Sequence, residues 1–284
     1  YHKIVRLSFP WQFVPSKLTP ISKIILKDTT YISETEFPNL IISCGRKSVI
    51  PSILLKKENK NIFTIHIQDP KVNLGNFDLV IAPEHDKLAG PNVLNSKGSI
   101  HYVTQEDIEK ARPYLINRIK GQKITALILG GPNRYYRFSN QELGIIFNEV
   151  KLNFVASGYQ VVVIPSMRTP KNIIDLAIKE FSVNSYVVRS VDKQAYLSAL
   201  GVATNIVVTS DSISMISEAA SSGKPIYVAH MDPKKDNSRF KRFFKLFREL
   251  GIIKNLGDKV ENWSYDKFNE TDRIAKIVAN KIKI

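Results

Sequence analysis

The sequence predicts an α/β protein of two Rossmann-like domains facing across a cleft. Three observations carry that reading. Short apolar runs alternate with helical patterns along most of the chain, as they do in βαβ units and parallel sheets. Six of those runs in succession end in small, polar or charged residues, and open parallel sheets bind ligands outside the carboxyl ends of their strands. The 284 residues are enough for about two domains with separate cores.

In the first half, Ile4 to Leu7 is expected to be a strand and Pro10 to Pro20 a loop. Asn39 to Ser43 reads as a strand ending at Cys44-Gly45-Arg46, and Ser48 to Lys57 as a helix. Asn61 to Ile67 is a strand ending at Gln68-Asp69, and Phe77 to Ala82 another, ending at Pro83-Glu84-His85-Asp86. Thr104 can cap a helix through Lys120, with acids early and bases late to suit the dipole. It is read as the bridge between domains spanning 1–120 and 121–260, with 261–284 a last helix packing back toward the first.

The second half repeats the alternation. Thr125 to Leu129 is a buried strand ending in Gly130-Gly131-Pro132-Asn133-Arg134. A helix from Ser139 closes at Gly158, and Gln160 to Ile164 is a strand ending in Ser166-Met167-Arg168-Thr169. Lys171 to Phe181 and Lys193 to Val202 are helices around a short strand from Ser185. Strand, turn and helix then follow closely: Ile206 to Val208, the turn Thr209-Ser210-Asp211-Ser212, and Ile213 to Ser222 closed by Gly223. Ile226 to Ala229 completes the βαβ unit. From 238 to 250, Phe240, Phe243, Phe244, Phe247 and Leu250 fall on one stripe among basic residues. That pattern suits a helix with its aromatic stripe in the core; the rival reading is a basic amphipathic surface that docks on anionic lipid.

Lys and Arg number 41 against 26 Asp and Glu, for a net charge of +15. Such a balance favours an anionic partner. A single cysteine, Cys44, leaves no internal disulfide framework and suits a reducing compartment. No apolar run approaches the roughly 18 residues of a membrane span, and no signal peptide is visible. The expected location is cytoplasmic or peripheral on the inner face of the membrane.

The candidate site residues come from the strand ends. Glycine amides, hydroxyls and arginines of the second half suit a diphosphate: Gly130, Gly131, Asn133, Arg134, Ser166, Arg168, Thr169, Ser210, Ser212 and Ser214. Ser214 and Glu218 lie four apart on one helix face, where a carboxylate can hold ribose hydroxyls. Asp69 and His85 can move a proton. Each feature also has a plain structural reading: a sharp turn at the glycines, solvated arginines, a surface Glu218 on an ordinary crossover. No Walker sequence, G-x-G-x-x-G or G-x-S-x-G is present, and no Cys/His cluster has zinc spacing.

The runs LILGGPNRYYRF, IPSMRTP, VVTSDSISMISEAASSGKPIYV and SRFKRFF, with SCGRKS, IQDP and FDLVIAPEHDKLAGPNV before them, resemble the mitochondrial-fission "elongated mitochondria" family. Its bacterial members often carry the label nucleoside-diphosphate-sugar epimerase. That label conflicts with the absence of a dinucleotide fingerprint. The resemblance implies a GT-B glycosyltransferase-like protein with a nucleotide-sugar site in its second domain. The Ser214 and Glu218 segment is similar to the donor-binding segment of the peptidoglycan N-acetylglucosaminyltransferase, where a carboxylate holds ribose. The resemblance further implies a metal-independent transfer, a nucleotide-diphosphate sugar as substrate and no other cofactor. Two departures stand out. Met167 occupies a place where the family shows a second arginine, and the family's first strand, Gly-rich turn and helix do not precede Tyr1. The expected partners are the nucleotide-sugar and a lipid-linked or anionic acceptor at a membrane surface, and not nucleic acid, for which no motif is found. The alternative is a non-catalytic peripheral-membrane scaffold with a relic cleft.

Overall fold

The computed structural model describes residues 4–27, 37–121, 123–183 and 185–282. The chain divides into two compact units: one takes in the residues up to Lys97 together with those from Asp272, and the other runs Gly98–Thr271. The 104–120 segment thus lies within the second unit, and most of the last helix goes with the first.

The first unit holds β1 (Leu40–Cys44), α1 (Val49–Glu58), β2 (Phe63–Ile67), β3 (Leu79–Pro83) and β4 (Val93–Ser96). Its sheet has the order β1-β2-β3-β4, every pair parallel. α1 turns Val49, Ile50, Ile53 and Leu54 inward at helical spacing, onto Phe77, Val80, Ile25 and Leu26. Asp78 ties helix to sheet: its carboxylate accepts from the Thr64 amide at 2.7 Å and from Lys56 Nζ at 2.9 Å. The expected strand at Ile4 to Leu7 is reduced to one antiparallel bridge between Leu7 and Leu26. On the side of Ser8, Pro10 and the turn after it end the pairing among the described residues.

The second unit opens with α2 (Gln105–Ala111) and α3 (Pro113–Ile116). Thr104 caps α2 in a reciprocal box with Asp107. Pro113 sits at the first position of α3 and splits the single helix expected from sequence. Then follow β5 (Ile124–Leu129), α4 (Asn140–Val150), β6 (Gln160–Pro165), α5 (Lys171–Glu180), β7 (Ser185–Val187), α6 (Lys193–Val202), β8 (Asn205–Thr209), α7 (Ile213–Ala220), β9 (Ile226–Ala229), α8 (Ser238–Glu249) and β10 (Ile253–Asn255). The last helix, α9, is Glu270–Ile282.

The sheet order is β10-β9-β8-β5-β6-β7, again all parallel. Counting from β5, this is the 3-2-1-4-5-6 order of a doubly wound Rossmann sheet. β5 and β8 lie side by side at its centre with every residue buried, as strands covered on both faces require. On α8, Phe240, Phe243, Phe244 and Phe247 are buried while Arg239, Lys241, Lys245 and Arg248 are exposed. The aromatic stripe is therefore core. No helix among the described residues is long and apolar enough to cross a membrane.

Candidate functional site

In this sheet the strand order reverses between β5 and β8. Open parallel sheets take their ligands outside the carboxyl ends of the strands at such a switch point. β5 runs into Gly130-Gly131 and β8 into Ser210-Asp211-Ser212, at the head of α7. In the sequence these residues are separate strand ends; the strand order makes them neighbours.

Asp211 fastens the loops. Its side chain has no exposed surface. One oxygen accepts from the Gly131 amide at 3.0 Å and from an Arg168 guanidinium nitrogen at 2.9 Å. The other accepts from the Thr209 hydroxyl at 2.7 Å, and that hydroxyl accepts from the Gly130 amide at 2.8 Å. Burial pushes the Asp211 carboxyl above the usual carboxylate range, while Gly131, Thr209 and Arg168 pull the other way. The glycines are required by this close approach: a β-carbon on Gly130 would overlap the Asp211 carboxylate, and one on Gly131 the Arg168 carbonyl. Among the residues named as ligands from sequence, Asp211 is missing. Its signal was the turn Thr209-Ser210-Asp211-Ser212, which reads equally well as helix capping.

Several predicted ligands serve the same fastening. Arg168 also donates to the Gly131 carbonyl at 2.8 Å, and its side chain is 40% exposed. The Thr169 hydroxyl lies 2.6 Å from the Gly130 carbonyl and accepts from the Ser166 amide at 2.8 Å. Asn133 spends its carboxamide on the loop, accepting from the Tyr135 and Tyr136 amides and donating to the Asp211 carbonyl. Ser210 is buried, and its hydroxyl accepts from the Met231 amide at 3.1 Å.

Other predicted residues lie nearer the surface. Ser212 caps α7 and accepts from the Met215 amide at 3.4 Å. Ser214 is exposed in the first turn, and Arg134 is exposed beside the Tyr135 ring. Met167, at the family's second arginine position, is 88% exposed. Two lysines from the segment after β9 add positive charge: Lys234 donates to the Asn133 carbonyl at 2.9 Å, and Lys235 lies 5.5 Å from the Tyr135 ring centre. The free amides at the head of α7, the helix dipole and these cations suit an anion. One turn on, Glu218 is half-buried and accepts from the Tyr196 hydroxyl at 2.7 Å. Burial raises its carboxyl above the ordinary range.

Asp69 and His85 belong to the other unit. Asp69 follows Gln68, whose backbone is left-handed at φ 83°. It accepts from the Lys71 amide at 2.9 Å and pairs with the Lys71 ammonium. His85 is buried, its Nε2 3.9 Å from Asp86.

Residues 1–282 match the model of the family described as mitochondrial fission ELM1. The chain belongs to that family. An uncharacterized protein of Rickettsia prowazekii is 29% identical over 87% of this chain and 80% of its own length. The mitochondrial fission protein ELM1 of Arabidopsis thaliana is 26% identical over 88% of this chain, which spans 65% of the plant protein. Two solved structures share the fold. The UDP-GlcNAc 2-epimerase of Methanocaldococcus jannaschii matches 86% of this chain and 77% of its own, with a TM-score of 0.51 at 13% identity. A protein from Listeria monocytogenes assigned as a UDP-N-acetylglucosamine 2-epimerase matches 87% and 75%, with a TM-score of 0.56 at 11% identity. The GT-B-type fold implied by the family resemblance is thus observed.

Proposed function

We propose that this ELM1-family protein binds a nucleotide-diphosphate sugar in its Gly98–Thr271 unit and transfers the sugar without a metal. One observation carries the reading: the reversal between β5 and β8 brings the Gly130-Gly131 turn and the head of α7 together around the buried Asp211. In this reading the diphosphate lies against the α7 amides with Ser212, Ser214 and the Gly131 turn. Arg134 and the outer face of Arg168 neutralise it. Asn133, Ser166, Thr169, Gly130 and Ser210 hold the loops in place. Glu218 takes the ribose. Amides and the helix dipole stabilise the leaving diphosphate, which is the part a metal plays elsewhere. Asp69 or His85 is the proposed base for the acceptor hydroxyl; Asp69 keeps 18% of its side chain exposed, while His85 has no side-chain exposure. The acceptor is lipid-linked or anionic.

Calorimetry with UDP, GDP and ADP in the presence of EDTA tests the binding. No heat and no stabilisation with any of the three defeats the proposal. Product analysis with the matching nucleotide-sugars then separates transfer from epimerisation and from hydrolysis.

A second reading has its own support. The Asn133 carboxamide and much of Arg168 are spent within the protein, and the Arabidopsis relative is named for mitochondrial fission. On this reading the chain is a non-catalytic scaffold, peripherally bound to a membrane. Glu218→Ala separates the two: a scaffold keeps its cellular role, whereas a transferase loses it.

A further inference from the structure

We infer that Tyr196 is a positioning residue for Glu218: held on α6, its hydroxyl fixes one carboxylate oxygen and leaves the other turned to the ribose hydroxyls of a bound nucleotide. The inference rests on the nucleotide-sugar reading above and assigns a residue that reading leaves out.

The geometry has three parts. The Tyr196 hydroxyl donates to Glu218 Oε2 at 2.7 Å, joining α6 to α7. Tyr196 lies between Ala195 and Leu197 on a helix whose inner face, with Ala199 and Leu200, is buried core. A ring with two torsions on such a helix is a stiff donor. The carboxylate is half-buried, and among the described residues Tyr196 makes its one hydrogen bond. A carboxylate has about four acceptor sites, so a half-buried one with a single donor is short of partners. Two vicinal hydroxyls supply them.

The ionisable groups nearby are few. Tyr102 and His101 come from the segment before α2, and Lys193 at the start of α6 lies over the Tyr102 ring at 4.9 Å. Lys267 bonds Gln105 near the far end of α7. Burial favours the neutral form of Glu218, and the Tyr196 hydroxyl favours the charged one. Deleting that hydroxyl therefore lets Glu218 protonate at a higher pH.

The test is calorimetry from pH 5 to 9 on wild type, Tyr196→Phe, Glu218→Gln and the double variant, with thermal melts as a control. The probes are UDP, GDP and ADP and their 2′-deoxy forms. Wild type should bind a ribonucleotide more tightly than its deoxy form and lose affinity below an acid limb. Tyr196→Phe should move that limb up by about one pH unit. It should weaken the ribonucleotide about tenfold at neutral pH and the deoxy form, which keeps only its 3′-hydroxyl, by clearly less. Glu218→Gln should flatten the limb, and adding Tyr196→Phe to it should cost nothing more. A Tyr196→Phe variant with the wild-type limb and ribose preference overturns the inference and leaves the site standing. Equal weakening of ribo and deoxy forms, with a lowered melting temperature, also overturns it, because that is a packing effect. Wild type that binds no nucleotide overturns the site and this inference together.

Discussion

Replacing Asp211 by alanine should loosen all three loops at the head of the second sheet. The Gly131 amide and the Thr209 hydroxyl, both buried, lose their acceptor, at about 1–3 kcal/mol for each orphaned donor. Arg168 loses its ion pair but is 40% exposed, so water replaces most of that partner and its share is small. The alanine also removes a carboxylate whose ionised form burial disfavours, which offsets part of the loss. The net expectation is about 3 kcal/mol. Asparagine should cost far less, about 1 kcal/mol. Its oxygen can keep the bonds to Gly131 and Arg168, and its amide can face the Thr209 hydroxyl, which turns to accept. Trp263 reports on this unit, with its indole bonded to the Gly251 carbonyl and packed on Tyr227. In a Trp11→Phe background it is the one tryptophan left of the two. At about 2–4 °C per kcal/mol for a unit of this size, alanine should lower the fluorescence melt by about 6–12 °C and asparagine by about 2–4 °C. An alanine variant melting within about 2 °C of wild type, or an asparagine variant melting below the alanine one, would show that Asp211 does not hold the loops.

Three further predictions are independent of that network or probe its edge. Gly131→Ala forces a methyl into the Arg168 carbonyl; it should cost about 1–3 kcal/mol and lower nucleotide affinity, read by melts and calorimetry. Phe247→Ala empties a site with no exposed surface between Phe243 and Phe268, at ring distances of 4.1 and 5.1 Å. It should cost about 3–5 kcal/mol, whereas Lys245→Ala on the outer face of α8 should change urea stability by less than about 0.5 kcal/mol. In the first unit, burial alone would raise Asp78, but Lys56 and Thr64 overcome it and hold the carboxyl below its usual range. Its contribution is therefore full above the unfolded value near 4 and is lost as pH falls through the lower folded value. Asp78→Asn should remove that acid-side loss from a stability–pH curve of this unit.

The parallel sheets were legible because buried strands carry a local signal. Ile124–Leu129 and Asn205–Thr209 are apolar runs bounded by turn residues, and both lie fully buried. The strands sequence reasoning missed, Val93–Ser96 and Ile253–Asn255, are short edge strands of mixed polarity held by one neighbour each; nothing in their composition separates them from loop. Pro113 stands inside a continuous helical pattern that the structure divides into α2 and α3. A proline at a first helical position starts a new helix as readily as it breaks an old one. Strand order was out of reach, since apolar runs do not say which run lies beside which. The placement of β8 next to β5, on which the candidate site depends, is a long-range fact.

The same limit explains how the site residues sorted themselves. Residue type and position after a strand selected ten residues for a diphosphate, but they could not distinguish a side chain that touches a ligand from one that holds the loop. A preorganised site needs both kinds, because donors aimed at an anion stabilise it only if their direction is fixed beforehand. Here Asn133, Thr169 and Ser210 have their polar groups bonded inward, and Asp211 binds the loops from the interior. Arg134 and the outer face of Arg168 are left exposed, and Ser214 is exposed with its hydroxyl 3.4 Å from that of Ser99. Glu218 shows the same division within a single carboxylate: one oxygen is fixed by Tyr196, and the other remains the acceptor a ligand can use.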